Sequence, residues 1–260
     1  IKNDVISSSG EIFNVPFNII WKQDLKKKEH ITNLKFKKIN LSIINLSKFY
    51  EKKKENKLQV YLNRSRYIID YSLQNKNIEF NSNNSFIGNN KLTFIGEVFL
   101  DPFSFNINSS LDHLKLKKLI LNSSILKEIL SNDFILNENF NGKINLNIKK
   151  LEKNPLFNEL NINLNLKGQT LEFNNSIFSN KKIANLIVKQ GVVYEEKNNL
   201  IFKGNIDFVI NDINKLYNKF VVPKKNRSDF KNISFEILIN LTNNDFKILK
   251  ITNDSFKDKE

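Results

Sequence analysis

The sequence contains no cysteine and no methionine, and only three arginines (Arg64, Arg66 and Arg227), two histidines, four prolines and seven glycines. Each shortage removes a class of chemistry. Without cysteine there are no disulfides, thiolate metal centres or cysteine nucleophiles. His30 and His113 stand far apart with no ligand or triad partner at a telling spacing, so both read as surface residues. Zinc needs three or four converging donors and is not expected. No Asp-rich loop carries the calcium-binding pattern. Gly96, Gly142, Gly168, Gly191 and Gly204 are scattered singly and form neither a phosphate cradle nor a nucleophile elbow; they read as bulges or turns. Carboxylate pairs such as Glu195 with Glu196, or Asp254 with Asp258, fall in polar turns or in the tail, where solvated charge is the plain reading. The residues therefore predict no enzyme, no metal and no cofactor.

Two further absences concern context. No run approaches the roughly 20 apolar residues of a membrane-spanning helix. Methionine is missing even at position 1, which leads to the expectation of an internal or processed piece whose signal or anchor lies outside it.

What is abundant is Lys, Asn, Ile and Phe. With 22 Phe and 40% hydrophobic residues, apolar material suffices for a folded core, which separates the chain from disordered sequences. The formal charge of +14 would ordinarily suggest nucleic acid or an anionic surface. Here the excess is almost all lysine, and the Lys, Asn, Ile and Phe bias is the one that A- and T-rich codons produce. Nucleic-acid sites favour arginine for bidentate contacts. A stacking site also needs aromatics and cations on one face, whereas Phe173, Phe202, Phe208 and Phe235 share the rhythm of Leu and Ile and lysines fall on the other. Nucleic acid is not expected as a partner; single-strand binding stands only as a third alternative.

The dominant local signal is alternation with period two, which places every second side chain on one sheet face. It is clearest in Leu160, Ile162, Leu164 and Leu166, separated by asparagines. Ile144, Leu146 and Ile148 follow the same rule, as do Phe202, Ile206, Phe208 and Ile210, and Phe235, Ile237, Ile239 and Leu241 after Ile233. These fifteen side chains, from Ile144 to Leu241, are the candidate apolar face. The first half is rougher: Val15 to Trp21; Phe36, Ile39, Leu41 and Ile43; Leu58 to Leu62; Tyr67 to Leu73. Polar clusters at 26–29, 51–55, 81–85 and 195–199 have the length of hairpin connections, so consecutive strands should meander antiparallel.

Two stretches break the alternation. Ser123 and Ser124 are candidate caps for a short helix carrying Ile125, Leu126, Ile129 and Leu130. Asn211 or Asp212 is a candidate cap for a second, near 212–220, which Pro223 stops. The expected organisation is a β region over 1–110, a helical segment over 111–135 and a second β region over 136–260, with one continuous sheet through both equally open. The fold class is mainly β: a long, twisted, curved antiparallel sheet, groove-like or sandwich-like, with one or two short helices. Alternation alone serves a closed core as well as an open groove.

Residues 141–151 (NGKINLNIKKL), Leu160 to Lys167, Leu171 to Ser176, Ile183 to Gly191, Leu200 to Phe208 and Leu216 to Arg227 resemble the C-terminal region of AsmA-like proteins, the group of the AsmA, TamB and YhdP types. Gly10 to Trp21 is similar to a strand element that recurs earlier in such proteins. The resemblance implies a protein anchored in the inner membrane of a Gram-negative bacterium and projecting into the periplasm. It implies a U-shaped, apolar-lined β groove that carries phospholipid toward the outer membrane and supports its assembly. The family's N-terminal membrane helix has no match here, so the anchor is expected outside this chain. The partners implied are phospholipid acyl chains and a membrane. The alternative is a structural β scaffold of the envelope with a closed core.

Overall fold

The computed structural model describes residues 4–12, 15–49, 54–62, 64–115, 141–197, 199–243 and 245–253. Among them are 17 strands of one sheet, one short α-helix and two 3-10 turns. The chain divides into two compact units, one of residues 1–102 and 107–109, the other of residues 103–106 and 110–260.

The first unit contains β1 (Asp4–Ile12), β2 (Val15–Asp24), β3 (Glu29–Phe36), β4 (Leu41–Phe49), β5 (Lys54–Leu62), β6 (Ser65–Gln74), β7 (Asn77–Ile87) and β8 (Asn90–Leu100). Each pairs antiparallel with the next, as the short polar connections require. The register keeps one face consistent: Ile19 stands opposite Leu34, Leu34 opposite Ile43, Ile43 opposite Val60 and Val60 opposite Tyr67.

Three sequence expectations fail in this unit. Asn81 to Ser85 is no hairpin turn but the middle of β7, where the register shifts against both neighbours. Ser82 and Ser85 are fully buried with their hydroxyls 2.5 Å apart, and Ser85 Oγ accepts the Ile68 N–H at 2.9 Å. The polar cluster thus feeds an inserted bulge, which leaves ladder groups for side chains to satisfy. Ile39 belongs to the 3-10 turn Lys37–Ile39, because Asn40 adopts φ 52 and reverses the chain between β3 and β4. His30 is half-buried, its ring 5.4 Å from that of Trp21 and 4.7 Å from that of Phe49.

The second unit takes most of β9 (Phe103–Lys115), then β10 (Asn141–Glu152), β11 (Glu159–Lys167), β12 (Thr170–Phe173), β13 (Ser176–Asn180), β14 (Ala184–Glu196), β15 (Asn199–Ile210), α1 (Ile213–Lys219), β16 (Asn232–Asn240) and β17 (Asp245–Asn253). The two short strands β12 and β13 share one position, each lying between β11 and β14. Residues 111–115, expected to open a helical segment, are the end of β9. The remainder of that segment, including the candidate cap Ser123 and Ser124, lies outside the described residues. α1 starts as its sequence indicates: Asp212 Oδ1 accepts the Lys215 N–H at 3.0 Å, and Leu216 and Tyr217 are buried.

Leu241, expected as the last residue of a long strand, sits in the turn after β16. Asn240 causes this, since its Oδ1 accepts the N–H groups of Thr242 and Asn243 at 3.0 and 3.3 Å and bends the chain.

Candidate functional site

The second unit aligns its alternating apolar side chains into cross-strand rows. One row runs Ile148, Leu160, Phe178, Leu186, Phe208, Ile233. Another runs Leu166, Leu171, Val193, Phe202, Ile239, Phe246. Between them lie Leu146 opposite Ile162, Ile144 opposite Leu164, Ile206 opposite Phe235, and Gly204 opposite Ile237. Ile210 closes one end opposite Ala184. Of the fifteen residues expected on this face, fourteen therefore lie in strands at one parity, and Leu241 alone lies in a turn.

The rows keep their parity because bulges absorb the irregularities. The register shifts between Val188 and Gln190 in β14, and the extra residue returns Gly191 and Val193 to the face of Val188. A second shift, beside Glu236 and Ile237, does the same for Ile248 and Ile251 of β17.

Burial divides the face. Ile148 and Leu160 at one end, and Leu166, Leu171 and Val193 at the other, are buried, as is Ile210. The side chains between them, Ile144, Leu146, Ile162, Leu164, Ile206, Phe235 and Ile237, are only partly buried, and so are Phe202, Phe208 and Ile239. The face is thus closed at its ends and again at Val188 and Ser176, which stand opposite one another between them, and is partly open elsewhere in its middle.

One closure comes from a residue that the alternation did not reveal. Phe157, in the loop between β10 and β11, is buried with its ring 5.8 Å from Phe178 and 6.5 Å from Phe208. The loop is set by Asn154, whose Oδ1 accepts the N–H groups of Leu156 and Phe157 at 2.9 and 2.8 Å. An Asn-Pro pair ahead of an apolar doublet is the only sequence signal for it.

Glycines let rings lie flat on the sheet. A Cβ on Gly204 would stand 2.7 Å from Phe202 Cζ, and one on Gly191 would stand 2.8 Å from the same ring. These strand glycines, expected as bulges or turns, are places where an aromatic ring covers the backbone. Gly168, with φ +53, is a turn residue as expected.

The opposite face is mixed, with Ile187, Val192, Ile201, Val209 and Leu238 among polar side chains that largely satisfy one another. Lys203 pairs with Glu236 at 3.5 Å, Asn165 Nδ2 donates to Glu172 Oε2 at 2.9 Å, Ser234 Oγ donates to Asp207 at 2.8 Å, and Lys189 pairs with the same aspartate. A shallow depression of about 490 Å³ on this side is lined by Glu172, Gln190, Lys203, Asn205 and Glu236. No group of three or more His, Asp or Glu side chains comes together as a metal site among the described residues. His113 lies 3.9 Å from Glu152 at the edge of β10.

The first unit shows a different inner face. Ser47 Oγ donates to Asn56 Oδ1 at 2.8 Å, Tyr71 Oη donates to Asn45 Oδ1 at 2.9 Å, and Ser47 and Asn56 are buried. This polar band lies on the same face beside the apolar row of Ile19, Leu34, Ile43 and Val60, and nothing in the alternation had indicated it.

No helix among the described residues is long and apolar enough to cross a membrane, a statement that does not extend to strands. Comparison with protein-family models, with curated proteins and with solved structures finds no match to this chain.

Proposed function

We propose that the partly open apolar face of the second unit binds lipid acyl chains without chemical turnover, in an AsmA-like envelope protein that conducts phospholipid between inner and outer membrane. The observation that carries the reading is the arrangement of Ile144, Leu146, Ile162, Leu164, Ile206, Phe235 and Ile237, aligned across strands yet not closed off. From Ile148 back to Gly142 the face runs six residues, or about 20 Å at strand rise. That exceeds one leaflet of a roughly 30 Å hydrocarbon core. Between its buried ends only Ile144 and Leu146 of this strand are open, so an acyl chain would meet the face at these positions and at Ile162 and Leu164 beside them.

Energetics suit movement rather than storage. A buried methylene contributes about 0.8 kcal/mol, so half-covering ten methylenes gives roughly 4 kcal/mol per chain. Two chains give roughly 8 kcal/mol, which caps the affinity near micromolar before ordering costs are subtracted. No polar contact on this face fixes one position, and a lipid held by methylenes alone steps along the row at little cost.

The second reading is a scaffold with a closed core, favoured by the burial of Ile148 and Leu160 and by the cover that Phe157 supplies. One titration separates the two. A fluorescent fatty-acid analogue is added to the full chain and to Leu164→Asp and Ile237→Lys variants. Acyl-chain binding requires that both variants stay folded and lose the ligand. A scaffold requires that they unfold, or that the unaltered chain binds nothing.

A further inference from the structure

α1 ends in a Schellman motif with the wrong residue for it. The Val222 N–H bonds to the Tyr217 carbonyl at 2.9 Å and the Val221 N–H to the Asn218 carbonyl at 3.3 Å, which puts Val221 in the left-handed position with φ 54. Helices place glycine there, sometimes asparagine, because a side chain at that φ crowds its own carbonyl, and a β-branched one crowds it most. Here a valine occupies the position and is 84% exposed. Phe220 beside it is 58% exposed. Folding alone explains neither choice.

The tip is held firmly from below. Tyr217 Oη accepts the Ser228 N–H at 2.9 Å and donates to the Ser228 carbonyl; Arg227 donates to the Val222 carbonyl at 3.1 Å and to Asn218 Oδ1 at 3.0 Å. The guanidinium also lies over the Tyr217 ring, 5.5 Å from its centre. Two apolar side chains are thereby presented outward on a braced support.

Charge identifies what they meet. Lys219, Lys224 and Lys225 are exposed around the doublet and have no acidic partner among the described residues, whereas Lys215 is paired with Asp212 at 2.9 Å. Two side chains are far too small a footprint for a protein interface of roughly 800 Å² per partner. An apolar wedge flanked in the chain by exposed lysines suits a bilayer, where the apolar groups enter the headgroup boundary and the cations meet anionic lipid.

We propose that the Phe220–Val221 tip docks the protein on an anionic bilayer surface. The site lies in the loop after α1 and not on the apolar rows, so it stands or falls independently of acyl-chain binding. The test is co-sedimentation of the full chain with vesicles of phosphatidylcholine alone or mixed with phosphatidylglycerol. The mixed vesicles should bind the chain and the neutral ones should not. Val221→Gly is the decisive variant, since it leaves charge unchanged and relieves the left-handed strain. It should raise the melting temperature while weakening vesicle binding, and Phe220→Ser with Val221→Gly should weaken it on the order of tenfold or more. Equal binding to both vesicle types, or full binding by the double variant, which keeps every lysine, overturns the proposal.

Discussion

The ring of Phe105 in β9 lies across Gly142 in β10 so closely that a Cβ on Gly142 would stand 2.5 Å from the ring's Cζ. Both belong to the second unit, and the bare backbone of Gly142 lets the ring seal the end of the Leu166 row. Gly142→Ala must displace a buried phenylalanine, and overpacking of this kind costs about 1–3 kcal/mol. Urea unfolding of G142A should show that loss. The additional change Phe105→Leu should return part of it, and additive effects of the two changes would mean that they do not share one space.

The β7 bulge depends on two serines with no exposure at all. Ser85→Ala leaves the Ile68 N–H and the Ser82 hydroxyl without their partner, a loss of about 1–3 kcal/mol for buried polar groups. Hydrogen exchange should find the Ile68 amide less protected in this variant. A neutral substitution with unchanged Ile68 protection would contradict the bulge geometry.

The start of α1 should respond to acid. The Asp212 carboxyl is held below its ordinary value of 3.8, first by the Lys215 backbone N–H and then by the Lys215 side chain. A lowered folded value makes this cap's contribution fully present above the unfolded value and lost as pH falls through the lower folded one. The stability difference between the unaltered chain and Asp212→Ala should be constant near neutral pH and shrink below about pH 4. A difference that persists unchanged in strong acid would remove the charge from the account.

Much of this fold was legible because period two has one meaning. Leu160 to Leu166, with asparagine at every other place, can face only one way in a strand, and short polar connections allow only a meander. Asn81 to Ser85 misled because a bulge and a hairpin turn draw on the same small polar residues; the side-chain bonds of Ser82 and Ser85 distinguish them. Leu241 misled because Asn240 ends the strand through its own side chain while the apolar rhythm continues past it. The openness of the candidate face was not legible at all. Ile148 and Leu164 carry the same pattern, yet one is buried and the other is not, since burial depends on which side chains the connecting loops bring over the face, as Phe157 does.

The central claim, that this face meets acyl chains, is tested most directly by scanning β11 with a photo-reactive amino acid. Placed one at a time from position 162 to 165 in the full chain and exposed to phospholipid, the probe should cross-link lipid at Ile162 and Leu164. It should fail at Asn163 and Asn165, whose side chains occupy the opposite face. Cross-linking at all four positions, or at none, would contradict the account.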